Sequence, residues 1–192
     1  EYCEDAKKEL IHSLFSTYIK NTTKNTSCDK PFLKSVFHDN SGVIDFDGEH
    51  FVCFKVETHN SPSALDPYGG AITGIVGVNR DIMGTGKGAK PIFNTNVLCF
   101  GEPDTPPESI PQGLLHPRQV MRGVHHGIID GGNQSGIPTV AGAIIFDETY
   151  IGKPLVFCGT GGIIPARIHG EESVIKHIDA GDKAVMLGGR IG

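Results

Sequence analysis

Apolar and polar positions alternate with two different periods along this chain, and the change of period marks its elements. Residues 5–20 repeat at helical spacing, with Leu10, Leu14 and Tyr18 in one line and Ile11, Phe15 and Ile19 beside them. They predict an amphipathic helix. The polar, Pro-terminated run 21–31 predicts a loop. Short strands are expected at 33–37 and 42–46. The strongest is FVCFKVE at 51–57. Its period of two puts Val52, Phe54 and Val56 on one face and Phe51, Cys53, Lys55 and Glu57 on the other.

Residues 70–83 are small and apolar and predict a helix despite their glycines. A Gly-rich loop at 84–91 and a strand at 94–101 follow, then a Pro-rich loop at 102–113. Val120, Val124 and Ile128 share a helical face, so a helix is expected over 117–130, with Gly131-Gly132-Asn133 as its stop. Strands are expected near 138–146 and 154–164, and a further one at 183–187. Helices interleave with strands that lie hairpin-close. The expected fold is therefore α+β, with a mixed or antiparallel sheet and helices on one face. A turn at 179–182 divides an expected domain 1–180 from the start of a second at 181–192.

Composition narrows the function classes. The net charge is -5 and no basic run occurs, which argues against wholesale nucleic-acid binding. No run approaches the roughly 20 apolar residues of a membrane span. The five cysteines are odd in number and form no CxxC pair, so zinc and disulfide frameworks are disfavoured and a reducing cytoplasm is expected. The chain begins at Glu1 and ends in a Gly-rich run, which we read as a piece of a larger protein.

The candidate chemistry is local. GTGKGAKP is not a P-loop, because Asp81 and Gly88 occupy positions that need Gly and Ser or Thr. Ser135 is not in a nucleophile elbow, and His125 and His126 diverge on a helix. KVETHN, by contrast, gathers a cation, a carboxylate, an imidazole and an amide at a strand end. Lys55 suits phosphate, and Glu57 with Asp81 suits magnesium. A simple Lys55–Glu57 surface salt bridge explains either residue alone. The whole cluster beside a Gly-rich loop points to a magnesium–ATP site.

FKVETHNSPSALDPYGGAITGIVGVNRD followed by GTGKGAKP resembles the phosphoribosylformylglycinamidine synthase family (its synthetase subunit). That family sits in the aminoimidazole ribonucleotide synthetase-like superfamily. GNQSGIPTVAGAIIFD, GKPLVFCGTGGIIPA and DKAVMLGGRIG are similar to later family segments, so the match runs from about residue 36 to the end. The resemblance implies an aminoimidazole ribonucleotide synthetase N-terminal-domain-like fold. It implies an enzyme that uses ATP to activate the amide oxygen of formylglycinamide ribonucleotide, after which ammonia from a glutaminase displaces phosphate. It further implies that Lys55 contacts ATP, that Glu57 and Asp81 bind Mg2+, and that His59 is catalytic. Thr58, His59, Asn60, Ser61 and Arg80 would contact substrate. Pairing through the sheets, as a homodimer or with an internal second half, is also implied. Ser61 stands where the family usually has a second His. The family's upstream catalytic His and its downstream Gly-rich segment and metal ligands are not among these residues, so the isolated piece is expected to be inactive. The alternatives are another ATP-using superfamily member, or a binding or assembly domain without turnover.

Overall fold

A computed structural model describes residues 10–27 and 29–189 of the chain. A helical stretch at Phe15–Lys20 runs on into α1 (Asn21–Ser27). Strands β1 (Leu33–Ser35), β2 (Gly42–Asp45) and β3 (His50–Thr58) follow as a meander. Helices α2 (Asn60–Leu65) and α3 (Pro67–Met83) come next, then β4 (Lys90–Phe100), α4 (Pro117–Ser135), β5 (Thr139–Phe146) and β6 (Leu155–Pro165). A small ribbon of β7 (Arg167–Ile168) and β8 (Glu171–Glu172) ends the ordered pairing.

The main sheet has the order β1-β2-β3-β6-β4-β5. Only β4 and β5 run parallel; every other neighbouring pair is antiparallel. β6 enters between β3 and β4, so the last long strand closes the centre of the sheet. α3 and α4 pack together on one face. The fold is thus α+β with a mixed sheet and helices on one side. Ile75, Val78, Leu98, Phe100, Val124 and Val156 fill the main layer between helices and sheet. Val43, Phe51, Cys53, Ile82 and Ile164 form a second cluster under the end of α3. Each such apolar side chain contributes about 1.5–3 kcal/mol through burial.

The start of α3 follows from local chemistry. Pro67 occupies its first turn, where a missing N–H costs nothing. The Asp66 carboxylate caps it by accepting the Gly69 N–H at 3.2 Å.

Several expectations are corrected. Residues 5–9 of the first expected helix lie outside the described residues. From Phe15 the helix continues through Ser27, where a loop was expected. Thr23 and Thr26 donate their hydroxyls to the Ile19 and Thr22 carbonyls one turn back, so these polar residues are held within the helix. Its apolar positions Leu14, Phe15, Tyr18 and Ile19 stay exposed rather than forming a buried face. The Phe15 and Phe37 rings meet edge to face, with centroids 5.5 Å apart. α4 does not stop at Gly131-Gly132-Asn133. It runs to Ser135 and ends at Gly136, whose φ of 69° places it in the left-handed region. Residues 183–187 pair with no strand among the described residues, and Val185, Met186 and Leu187 are exposed.

Among the described residues no layer covers the apolar side chains on the opposite face of the sheet. Ile44, Phe54 and Val56 are 39%, 43% and 40% exposed. The Phe54 and Phe93 rings lie 6.2 Å apart on this face.

Candidate active site

β3 delivers Lys55 and Glu57 to the helix-bearing face because side chains two apart share a face. The last turn of α3 returns over the same strand and brings Asp81 with it. The Lys55 ammonium lies 2.8 Å from Glu57 Oε1 and 3.3 Å from Asp81 Oδ2. Hydrogen bonding to Glu57, opposed by partial burial and aided by Asp81, holds the Lys55 pKa above its usual value. The expected Lys55–Glu57 salt bridge is present, but Asp81 makes it a triad. Glu57 is half exposed, and such pairs contribute only about 0–1 kcal/mol to stability. The fold therefore does not require the cluster.

Asn40, which the sequence reading missed, completes the arrangement. Its Nδ2 donates to Asp81 Oδ1 at 2.9 Å. One carboxylate oxygen is thereby fixed and the other is turned toward Lys55. The neighbouring Asp39 reaches the Gly-rich loop instead, accepting the Gly86 N–H at 2.7 Å and the Lys176 ammonium at 2.6 Å.

His59 closes β3 and opens α2. Its N–H donates to the Val156 carbonyl at 2.8 Å, and its carbonyl accepts the Ser63 hydroxyl at 2.6 Å. Its ring is partly buried, and Nδ1 has no hydrogen-bond partner. α3 can approach the ring because residue 74 is Gly. A Cβ there would stand 3.1 Å from His59 Cβ and 3.3 Å from Cys158 Sγ. Burial raises the Cys158 thiol to about 12 and the Cys53 thiol to about 11, so neither serves as a thiolate near neutral pH.

The remaining expected site residues divide. Arg80 and Ser61 are exposed and make no side-chain hydrogen bond among the described residues. Asn60 Oδ1 is committed to the fold, accepting the Val156 N–H at 2.8 Å. Thr58 follows Phe54 and Val56 in the alternation of β3, so it lies away from Lys55 and Glu57.

The Gly-rich loop is not a phosphate cradle in this conformation. Gly86 N–H is taken by Asp39, Lys87 N–H by the Ser173 carbonyl, and Gly88 and Ala89 N–H by the Thr85 carbonyl. Lys87 itself pairs with Glu171. The loop clamps the 171–176 segment to the end of α3. A cavity of about 470 Å³ lies between α1 and β1, lined in part by Lys20, Lys34 and His38, but none of Lys55, Glu57, His59, Arg80 and Asp81 lines it. The cluster forms a partly exposed shelf.

Two carboxylate oxygens that share one ammonium are placed to share one cation. Among the described residues no group of three or more His, Cys, Asp or Glu forms a closed metal cage. Two carboxylates suit Mg2+, which keeps part of its coordination for nucleotide and water.

A family model described as AIR synthase related protein, N-terminal domain, matches residues 38–164. The chain belongs to this family. The phosphoribosylformylglycinamidine synthase subunit PurL of Thermoplasma acidophilum is 39% identical over 177 residues, which cover 91% of this chain and 22% of that protein. T. maritima PurL complexed with FGAR superposes with a TM-score of 0.55 at 32% identity, covering 74% of this chain and 20% of that one. T. maritima PurL complexed with ATP gives 0.54 at 33% identity, covering 70% and 20%. The matched span of this AIR synthase related domain contains Asn40, Lys55, Glu57, His59, Arg80 and Asp81. It ends within β6, before the segment that the Gly-rich loop clamps. No helix among the described residues is long and apolar enough to cross a membrane.

Proposed function

We propose that this chain is part of a cytoplasmic, ATP-dependent carbon–nitrogen ligase of purine biosynthesis, of the phosphoribosylformylglycinamidine synthase type. The carrying observation is the Lys55–Glu57–Asp81 triad on the domain's partly exposed shelf. Since the chain spans about a fifth of the curated relative's length, we assign turnover to the full-length protein. The shelf is one wall of the site, and the segments that face it supply the others. Residues 181–192 open the next domain.

In this reading the γ-phosphoryl group of ATP passes to the amide oxygen of formylglycinamide ribonucleotide. Ammonia adds to the activated carbon, and phosphate leaves with that oxygen to give the amidine. Lys55 contacts the ATP phosphates. Glu57 and Asp81 hold Mg2+, which offsets phosphate charge. His59 takes the proton shed by the incoming nitrogen. Thr58, His59, Asn60, Ser61 and Arg80 form the substrate wall. Arg80 is suited to a phosphate through its planar fork, and the free hydroxyl of Ser61 can donate to the same group.

The ammonia comes from a separate or fused glutaminase. The uncovered sheet face around Ile44, Phe54 and Val56 pairs with a second copy or with an internal second half. The test is release of ADP by the full-length protein supplied with formylglycinamide ribonucleotide, Mg2+ and ammonia. Release that requires all three supports the reading, and none above background sinks it.

A further inference from the structure

We infer that the Lys55 ammonium is a built-in substitute for the divalent cation, exchanged for it only when metal arrives with nucleotide. This rests on the reading that Glu57 and Asp81 are the metal ligands.

The geometry carries the exchange. Lys55 Nζ sits between Glu57 Oε1 at 2.8 Å and Asp81 Oδ2 at 3.3 Å, so it bridges the two carboxylates that would share a metal ion. Asn40 donates to Asp81 Oδ1 from the other side, so Oδ2 is the oxygen turned toward Lys55. An ammonium and a divalent ion cannot both occupy that place. Without a cation, two neighbouring carboxylates repel each other, and Lys55 removes that repulsion while the site is empty of metal.

Metal alone must therefore expel Lys55 into water, where the ammonium gains hydration but no new anionic partner. Metal bound to nucleotide brings phosphate oxygens with it. The flexible four-carbon stem lets the displaced ammonium turn to them without moving the backbone. The same side chain thus disfavours free divalent ions and favours the metal–nucleotide complex. Its position two residues before Glu57 on one strand face makes the exchange local, with no domain movement needed.

The test is a Mn2+ titration of the full-length protein followed by the electron paramagnetic resonance signal of free Mn2+. It is run with metal alone and with a non-hydrolysable ATP analogue. Wild type is compared with Lys55→Met, Lys55→Gln, Glu57→Gln and Asp81→Asn, each checked for folding by circular dichroism. The expected result is that both Lys55 variants bind Mn2+ alone about twofold to fivefold more tightly than wild type, the scale of one competing ion pair. Their further tightening on adding the analogue is smaller than in wild type. If the Lys55 variants bind Mn2+ alone no more tightly while Glu57→Gln weakens it, the exchange is wrong and the metal reading stands. If Glu57→Gln and Asp81→Asn leave Mn2+ binding unchanged, the metal reading fails and the exchange fails with it.

Discussion

Asn40 Nδ2 donates a 2.9 Å hydrogen bond to Asp81 Oδ1, joining the loop before β2 to the last turn of α3. The bond sets the rotation of the carboxylate and so decides which oxygen faces Lys55. Groups that orient a metal ligand typically matter about 10–100-fold in metal affinity. Asn40→Ala is expected to weaken Mg2+–ATP binding by about tenfold in the full-length protein, with little change in melting temperature. Calorimetric titration of nucleotide with and without Mg2+ measures this. Unchanged affinity would remove Asn40 from the site.

Glu57 and Asp81 are predicted to be far more important to function than to folding. Their ion pairs with Lys55 are partly exposed, and pairs of that kind contribute about 0–1 kcal/mol. Glu57→Ala and Asp81→Ala should each lower use of Mg2+–ATP by more than tenfold, while urea unfolding shifts by no more than about 1 kcal/mol. Normal turnover in both variants would show that the metal ligands lie elsewhere.

His59 separates binding from chemistry. Its backbone is anchored to Val156 and Ser63, so truncating the ring leaves the strand end in place. His59→Ala is expected to retain nucleotide affinity and to slow amidine formation by about 10²–10⁴-fold, the usual span for a lost acid–base group. Single-turnover kinetics beside an equilibrium nucleotide titration distinguish the two effects. A fully active variant would refute the role.

How much of this was legible in the sequence depended on how local each cause was. The alternation of FVCFKVE was enough to place Lys55 and Glu57 on one face, because a period of two is a property of the strand itself. The helical period likewise located α4, and the run of small apolar residues located α3. Their ends were harder. A mid-helix Gly costs only about 1 kcal/mol relative to Ala. At Gly131 the close packing of Ile75 outweighs that cost, since a Cβ there would meet Ile75 Cγ2 at 2.3 Å. NTTKNTS has the composition of a loop, and only the hydroxyl bonds to Ile19 and Thr22 reveal it as helix. Asn40 and Asp39 left no local signal at all. Their partners, Asp81 and Gly86, lie more than forty positions away and are brought in by α3. The insertion of β6 between β3 and β4 is equally a matter of long-range pairing. The role of GTGKGAKP also required the structure, because its glycines fit a phosphate cradle and a structural clamp alike until the partners of its N–H groups are known.

That clamp carries the remaining prediction, which concerns pH. Burial alone would raise the Asp39 carboxyl. The hydrogen bonds from Lys176, Gly86 N–H and Asn40 N–H outweigh this and hold its pKa below the ordinary 3.8. A carboxyl whose pKa is lowered by folding stabilises the fold above its unfolded value and loses that contribution as pH falls through the folded value. Asp39→Asn is therefore expected to destabilise the protein at pH 7 by about 1–3 kcal/mol, the range for losing a charged hydrogen-bond partner. The gap from wild type should narrow as pH falls below 4, because the wild-type carboxyl then becomes neutral as well. Lys176→Met should reproduce part of the loss at pH 7, since it removes the same ion pair and the bond to the Gly84 carbonyl. Urea melts of the three proteins between pH 3 and pH 7 measure both effects. A constant gap across that range would show that the Asp39 charge does not hold the clamp.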